Sequence, residues 1–301
     1  MFDQRRDHQF KEYNRARTIL VNDTSVLIAL EKYFADLLRE TISNAIDEIV
    51  RDFNEASYLF PFWQNYPPDE RGRQPKGDQF PWIEVGEHAV GSKLGRLLAR
   101  DGIELLDVGL PAGPDQRFVV RSEEIKKITN GLTNAAWLFL DIKSVGPRDD
   151  ADHAVMSHNQ ISGDGRWETP EAGVSNTLMT AQGRTASHLF HPSIPPLYVL
   201  SDGTIAPVVL SALKPVYRML SLEHGSLKGQ PLGRLALITI PNGLLLEVSP
   251  GYLAQYPGLL FPGKDDKGKD PRKLRARICF QRLRTIANWR VQTIWDHSKQ
   301  K

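Results

Sequence analysis

The sequence predicts a single mixed α/β domain of 301 residues. Three observations carry that reading. Helical periodicity dominates the first third of the chain, short apolar runs of strand length dominate from residue 103 onward, and neither a repeat nor a low-complexity linker separates them. Apolar residues make up 41% of the chain and charged residues 25%, an ordinary balance for a protein with a sizeable core.

Residues 24–53 carry Leu30, Tyr33, Phe34, Leu37, Leu38, Ile42, Ile46, Ile49, Val50 and Phe53 at three- and four-residue spacing. That pattern predicts one long amphipathic helix with no chemistry of its own, capped by Asp23 or Thr24. The Pro-rich stretch PFWQNYPPDERGRQPKGDQFP predicts a loop, and a shorter helix over roughly 88–100 follows Glu84 and Glu87. Strands are expected over 103–109, 117–121, 136–145, 197–200 and 205–210. Between two of them, Ser122 followed by Glu123 and Glu124 predicts a helix N-terminus, because a serine oxygen accepts from free N–H groups there. RLALITIPNGLLLEVS predicts a hairpin turning at Pro241-Asn242-Gly243. SDGTIAPVV predicts another, turning at Asp202-Gly203. Residues 149–195, rich in Gly, Ser, Asn and His, are expected to form long loops, which in a compact domain are often functional.

Composition excludes several classes. One cysteine, Cys279, rules out an intrachain disulfide framework and fits a reducing cytoplasm. MFDQRRDHQF holds no apolar segment, so no secretory leader is expected, and no run of 18 apolar residues predicts a membrane span. Net charge is +2, yet residues 264–301 hold 12 Lys/Arg against 4 Asp, a local +8 that leaves −6 for residues 1–263. A basic segment on an acidic body points to a polyanionic partner, nucleic acid first, although a solvated tail carries the same charge.

The stretch with the most chemistry is WLFLDIKSVGPRDD, residues 137–150. An apolar strand runs straight into Asp141, Ile142 and Lys143. Alternation puts Asp141 and Lys143 on one face, roughly 6.6 Å apart, and Ile142 on the other. Asp115, after Pro114, offers a second acid. Two carboxylates suit Mg²⁺, a hard ion that prefers oxygen, and such an ion polarises a phosphoryl group and acidifies water. A lysine beside them offsets developing charge. Glu87, or else Glu84, offers a third oxygen. An acid-x-Lys triplet arises about twice by chance in a chain of this size, and three occur here: Glu124-x-Lys126, Asp141-x-Lys143 and Asp265-x-Lys267. Only the second lies on an apolar strand after a Pro-Asp. By pattern alone, a structural salt bridge competes with a nuclease site.

Near the C-terminus, KLRARICF alternates, with Leu274, Ala276, Ile278 and Phe280 on one side and Lys273, Arg275 and Arg277 on the other. Arginines held on a strand face can make paired contacts to guanine edges. The GKDD turn, with Lys264 and Asp266, mixes donors with acceptors as base readout needs. A solvated strand face and turn is the simpler alternative.

Together with FPFWQNYPP, WIEVGEHAVGSKL, GLPAGPDQR, DIKSVGPRD, IPPLYVLSDGTIAPVV, PNGL and PGKDD, these residues place the sequence close to a known family. It resembles the BglI-like type II restriction endonucleases over nearly the whole chain after the first twenty residues. The resemblance implies a restriction-endonuclease-like fold, a mixed central β-sheet flanked by helices, in a prokaryotic cytoplasmic enzyme. It implies a homodimer that uses Mg²⁺ to cut both strands of double-stranded DNA at GCC, five unspecified bases, GGC, paired in the cell with a DNA methyltransferase. Carried over position by position, Asp115, Asp141, Lys143 and Glu87 match the catalytic set. Asp115, Asp141 and Ile142 match metal positions, and Asp149, Lys264, Asp266, Arg275 and Arg277 match base-reading positions. A DNA-binding protein on the same scaffold that no longer cuts is the alternative.

Other features read more plainly. His188-x-x-His191 looks like a metal pair but sits beside Pro192 in a loop. SGDGRW, residues 162–167, is either a DNA-backbone contact or a surface loop. Trp63 and Trp82 are expected in the core. Arg73 and Lys76 are candidate phosphate contacts.

Overall fold

The computed structural model of the chain describes residues 2–58, 86–100, 102–109, 113–218, 220, 221, 228, 229, 231–248, 250–263 and 269–300. Three helices open it: α1 (Phe2–Asn22), α2 (Ser25–Asn44) and α3 (Ile46–Tyr58). The one helix expected over 24–53 is broken at Ala45, where φ −106° and ψ 11° leave the helical region. Its periodicity survives the break because Ile42, Ala45, Ile49 and Phe53 all enter the same apolar cluster. Periodicity reports burial, and two helices on one core share it. Thr24 sits at the N-cap of α2 without a side-chain cap bond, and Asp23 Oδ1, one residue earlier, accepts from Ser25 N at 3.1 Å. The sequence reading missed α1, which buries Tyr13, Ala16 and Leu20 along a largely polar helix.

A π-helical turn (Glu87–Gly91) leads into α4 (Ser92–Leu98), near the expected 88–100. Then come β1 (Glu104–Asp107), β2 (Gln116–Arg121), α5 (Glu123–Ile128) and β3 (Ala135–Ile142). Ser122 caps α5 as expected, its Oγ accepting from Ile125 N at 3.2 Å. The region expected to be all loop contains β4 (His153–Met156), β5 (Met179–Gln182) and β6 (Ser187–Phe190), each too short for alternation to stand out. Next, β7 (Leu197–Val199) and β8 (Ile205–Tyr217) pair across the Asp202-Gly203 turn, where Gly203 has φ 85°. The chain continues through β9 (Leu220–Ser221), β10 (Lys228–Gly229), β11 (Leu232–Ile240), α6 (Gly243–Glu247) and α7 (Tyr252–Gln255). It closes with β12 (Leu260–Pro262), β13 (Ala276–Cys279), α8 (Phe280–Ile286) and β14 (Val291–Asp296).

The hairpin expected at Pro241-Asn242-Gly243 does not form. Asn242 caps α6, its Oδ1 accepting from Leu244 N at 3.0 Å, and its Nδ2 donates to the carbonyls of Pro196 and Val208. A Cβ on Gly243 would run into the Gly163 carbonyl, so close approach explains that glycine. The partners of β11 are β8 and β14.

Strand order in the main sheet is β1-β2-β3-β8-β11-β14, with β7 also on β8. Among the described strands of this sheet, β3 and β8 alone pair in parallel, which makes the sheet mixed. Every residue of β3 is buried. Ala136, Leu138, Leu140 and Ile142 pack under helices α2, α3 and α4. Trp137 and Phe139 point the other way, toward β4, β13 and α8. A second sheet, β12-β13-β4, covers that other face. The mixed central sheet flanked by helices is the architecture expected.

Several buried polar groups are paired. Glu31 and Arg290 are 1% and 0% exposed, and Arg290 donates to Glu31 Oε2 at 2.6 Å. The other oxygen of Glu31 accepts from Asn242 N at 2.6 Å. SGDGRW is not a surface loop at its centre: Ser162 and Asp164 are buried. Ser162 Oγ accepts from Gly243 N at 2.6 Å, and Asp164 Oδ1 from Thr177 N at 2.8 Å. Beside them, Thr177 donates to Glu247 at 2.9 Å, and burial pushes the Glu247 carboxyl up to about 7.

Two stability measurements follow from these groups. Arg290→Met strands a buried carboxylate and should cost about 3–5 kcal/mol in urea unfolding; adding Glu31→Leu should recover most of the loss. For Glu247 the folded pKa lies above the unfolded one, so its contribution to stability is greatest in acid and is lost as pH rises to about 7. Glu247→Gln should therefore melt higher than wild type at pH 8, with the gap closing toward pH 4. A pH-independent gap would contradict that assignment.

Candidate active site

The end of β3 delivers the acid and the base together. Asp141 is 1% exposed, and Lys143 Nζ lies 2.6 Å from its Oδ2, the shared face that alternation predicted. Both sit on a rigid ladder, with Asp141 opposite Ala212 of β8 and Lys143 N donating to Leu213 O at 2.7 Å. Asp115 precedes β2. The β2–β3 register pairs Gln116 with Leu140, which carries Asp115 toward the end of β3. There its Oδ2 accepts from Ile142 N at 2.6 Å. One acid is exposed and the other buried, so the pair spans the rim and floor of one site.

Burial pushes the Asp141 carboxyl up; the Lys143 ammonium pulls it down, and Asp115 pushes it up again. Gln160 Nε2 donates to Oδ1 of Asp141. Oδ2 is buried and receives no aligned hydrogen bond, only the nearby ammonium charge. An oxygen in that state suits a cation. Among the described residues no three His, Cys, Asp or Glu side chains gather. Two carboxylates without a protein cage fit Mg²⁺, which keeps waters and takes phosphate oxygens for the rest of its shell. Ile142 turns its side chain to the opposite core and brings only its main chain to this face. The π-helical turn holding Glu87 packs close to this strand end, since a Cβ on Gly86 would strike Ser144 Oγ. The Glu87 side chain lies outside the described residues, as do Glu84, Trp63, Trp82, Arg73, Lys76, Lys264, Asp266 and the Asp265-x-Lys267 triplet. The third triplet, Glu124-x-Lys126, lies on helix α5 and not on a strand.

The expected base-reading surface is the small sheet. Leu274, Ala276, Ile278 and Phe280 are buried, as the alternation required. Arg277 lies in the middle strand, opposite Phe261 on one side and Val155 on the other. Its guanidinium rests against Gly263, where a Cβ would collide with it. Arg275 is exposed and falls one residue before β13, so the two arginines are neighbours but only one is in the ladder. Asp149 is exposed on a 3-10 turn, Pro147–Asp149. The loop after it is tied down by Asp150 to Lys214 at 3.5 Å and by Asp152 to Arg284 at 3.0 Å. His188 and His191 join no metal-binding group among the described residues.

Sequence reasoning missed two site residues. Lys214, 2% exposed at the far end of β8, donates to the carbonyls of Ala151 and His153. Its position, two residues beyond Ala212, the partner of Asp141, became visible only with the strand register. Gln160 gave no signal, because a glutamine in a loop region carries no motif.

A mixed sheet whose central strand ends in a buried acid and a lysine, with a second acid beside them, is the framework of a restriction endonuclease, a site-specific deoxyribonuclease. Comparison with known proteins agrees. The family model described as Restriction endonuclease BglI matches residues 8–294. The type II restriction enzyme BglI of Bacillus subtilis is 48% identical over 297 residues, 98% of this chain and 99% of that one. The crystal structure of restriction endonuclease BglI bound to its DNA recognition sequence superposes with a TM-score of 0.90 at 47% identity, covering 99% and 100% of the two chains. Tetrameric restriction endonuclease SfiI, bound to cognate DNA, shares the fold at a TM-score of 0.56 and 12% identity, over 90% and 85% of the chains. The chain belongs to the BglI family of restriction endonucleases.

Proposed function

We propose that this enzyme cuts both strands of duplex DNA with Mg²⁺ held by Asp115, Asp141 and the main chain of Ile142, with Glu87 nearby. The observation that carries the reading is Asp141 Oδ2, a buried carboxylate oxygen left without an aligned donor beside a second acid. When bound, Mg²⁺ would polarise the scissile phosphoryl group and supply an acidified water. Lys143 would orient the attacking water and offset charge developing on the phosphate. The rigid β3–β8 ladder holds that ammonium against Asp141, so little reorganisation is needed during reaction.

Asp149, Lys264, Asp266, Arg275 and Arg277 would read bases at a site resembling GCC, five unspecified bases, GGC. A two-fold homodimer is the assembly that matches such a palindrome. The whole chain, 1–301, would act as one domain with a base-reading segment at about 264–284, and a DNA methyltransferase would protect the host's own sites.

Asp141→Ala should abolish plasmid cleavage in Mg²⁺ while binding to the specific duplex without metal is kept or strengthened, since an anion near phosphate is removed. Lys143→Ala should lose roughly 10²–10³-fold in cleavage rate. Normal turnover by Asp141→Ala would refute the site, and specific binding by wild type without any cleavage would favour a non-cutting DNA-binding protein.

Specificity is tested separately. If Arg275 and Arg277 contact guanines, replacing either by Ala should cost about 1–3 kcal/mol at one base pair of each half-site. Affinities for a panel of single-base variants at two salt concentrations would decide. Uniform weakening with a shallower salt dependence would make them phosphate contacts instead.

A further inference from the structure

Gln160 ends the 3-10 turn His158–Gln160, far in sequence from the acids, and still touches both members of the Asp141–Lys143 pair. Its Nε2 donates to Asp141 Oδ1, and its Oε1 accepts from Lys143 Nζ at 3.1 Å. The same Oε1 accepts from Ser157 N at 2.9 Å, in a capping box that pins the side chain to its own turn. The orientation of the amide is forced. Rotated by half a turn, it would set an oxygen against a carboxylate and an NH₂ group against an ammonium and an N–H. Three favourable contacts would become three repulsive ones.

We infer that Gln160 is a positioning residue for cleavage, holding Asp141 and Lys143 in register with each other and with the arginine-bearing sheet. The inference rests on the reading of Asp141 and Lys143 as the cutting pair. Because Gln160 occupies Oδ1, the carboxylate cannot rotate, and Oδ2, beside the Lys143 ammonium, stays the oxygen without an aligned donor. Because Gln160 accepts from Lys143, the ammonium cannot swing away along its flexible stem. The turn is also the continuation of β4, and Val155 of β4 is the register partner of Arg277, two residues before Ser157. A shift of the arginine-bearing sheet therefore reaches the cutting pair through one short, hydrogen-bonded turn.

A side chain that orients a metal-binding carboxylate is worth about 10–100-fold in metal affinity or activity. The test uses the full-length chain with Gln160→Met, nearly isosteric but without donor or acceptor, and Gln160→Asn, which withdraws the amide by one carbon and serves if the first variant fails to fold. Three quantities are read: the single-turnover cleavage rate in saturating Mg²⁺, Mn²⁺ affinity of the DNA-free protein by electron paramagnetic resonance, and metal-free affinity for a duplex containing the wild-type cutting site. The expected result is a 10–100-fold loss in both rate and Mn²⁺ affinity with duplex binding within about twofold of wild type. Rate and Mn²⁺ affinity both within twofold of wild type would overturn the proposal, and so would a parallel loss of duplex binding. Asp141→Ala in the same Mn²⁺ titration separates the two readings. If it leaves Mn²⁺ binding intact, the site itself is wrong; if it abolishes binding and Gln160→Met does not, only the role of Gln160 falls.

Discussion

A carboxylate buried to 1% exposure at the end of an all-apolar strand is the constraint that organises this molecule. An isolated ion there would cost several kcal/mol. Lys143 offsets its charge from 2.6 Å beside Oδ2, Gln160 satisfies Oδ1, and Oδ2 has no aligned donor. The compensating groups come from different places, Lys143 from the end of β3 and Gln160 from the turn after β4, while Asp115, before β2, adds a like charge that they must also offset. Strand register therefore matters more here than side-chain flexibility. A one-residue slip of β3 would send Asp141 into the helix-covered core and bring Ile142 to the site.

The other buried charges follow the same logic and hold the distant parts of the chain together. Glu31 and Arg290 join α2 to the turn before β14 across 259 residues of sequence. Asn242 bonds to the same glutamate and to the carbonyls of Pro196 and Val208, so one network spans five segments. Lys214 does comparable work near the site. It projects from the same face of β8 that meets Asp141, and its ammonium holds the carbonyls of Ala151 and His153, next to the turn bearing Asp149. Burial lowers its pKa, while Asp150 raises it. Hydrogen-bonded networks of this kind rigidify the elements they connect.

The two faces of the main sheet divide the labour. Helices α2, α3 and α4 cover one face and contribute packing. The other face meets the small sheet through Ala154, Met156, Ala276 and Ile278, whose side chains share a core with Trp137 and Phe139 of β3. The strand that carries the acid and the strand that carries Arg277 thus rest on one apolar layer. Asp141 and Arg277 are thus placed relative to each other by packing, and packed layers transmit small displacements without absorbing them.

Local pattern in the sequence determined much of this. The apolar run ending in Asp141 and Lys143 specified a strand with both groups on one face, and the alternation of KLRARICF specified which side of β13 is buried; both hold because side-chain direction in a strand depends only on parity. Ser122 specified a helix start because a cap needs only its own neighbours. Tertiary structure alone decided the rest. It broke the 24–53 helix at Ala45, which periodicity cannot detect when both halves pack on one core. It turned Pro-Asn-Gly into a helix cap, because the carbonyls of Pro196 and Val208 and the backbone of Gly163 wait there. It buried Ser162 and Asp164, whose polarity reads as exposure until their partners are known. It also brought Gln160 to the acid and the lysine, a meeting set by the packing of two sheets and invisible in any stretch of sequence.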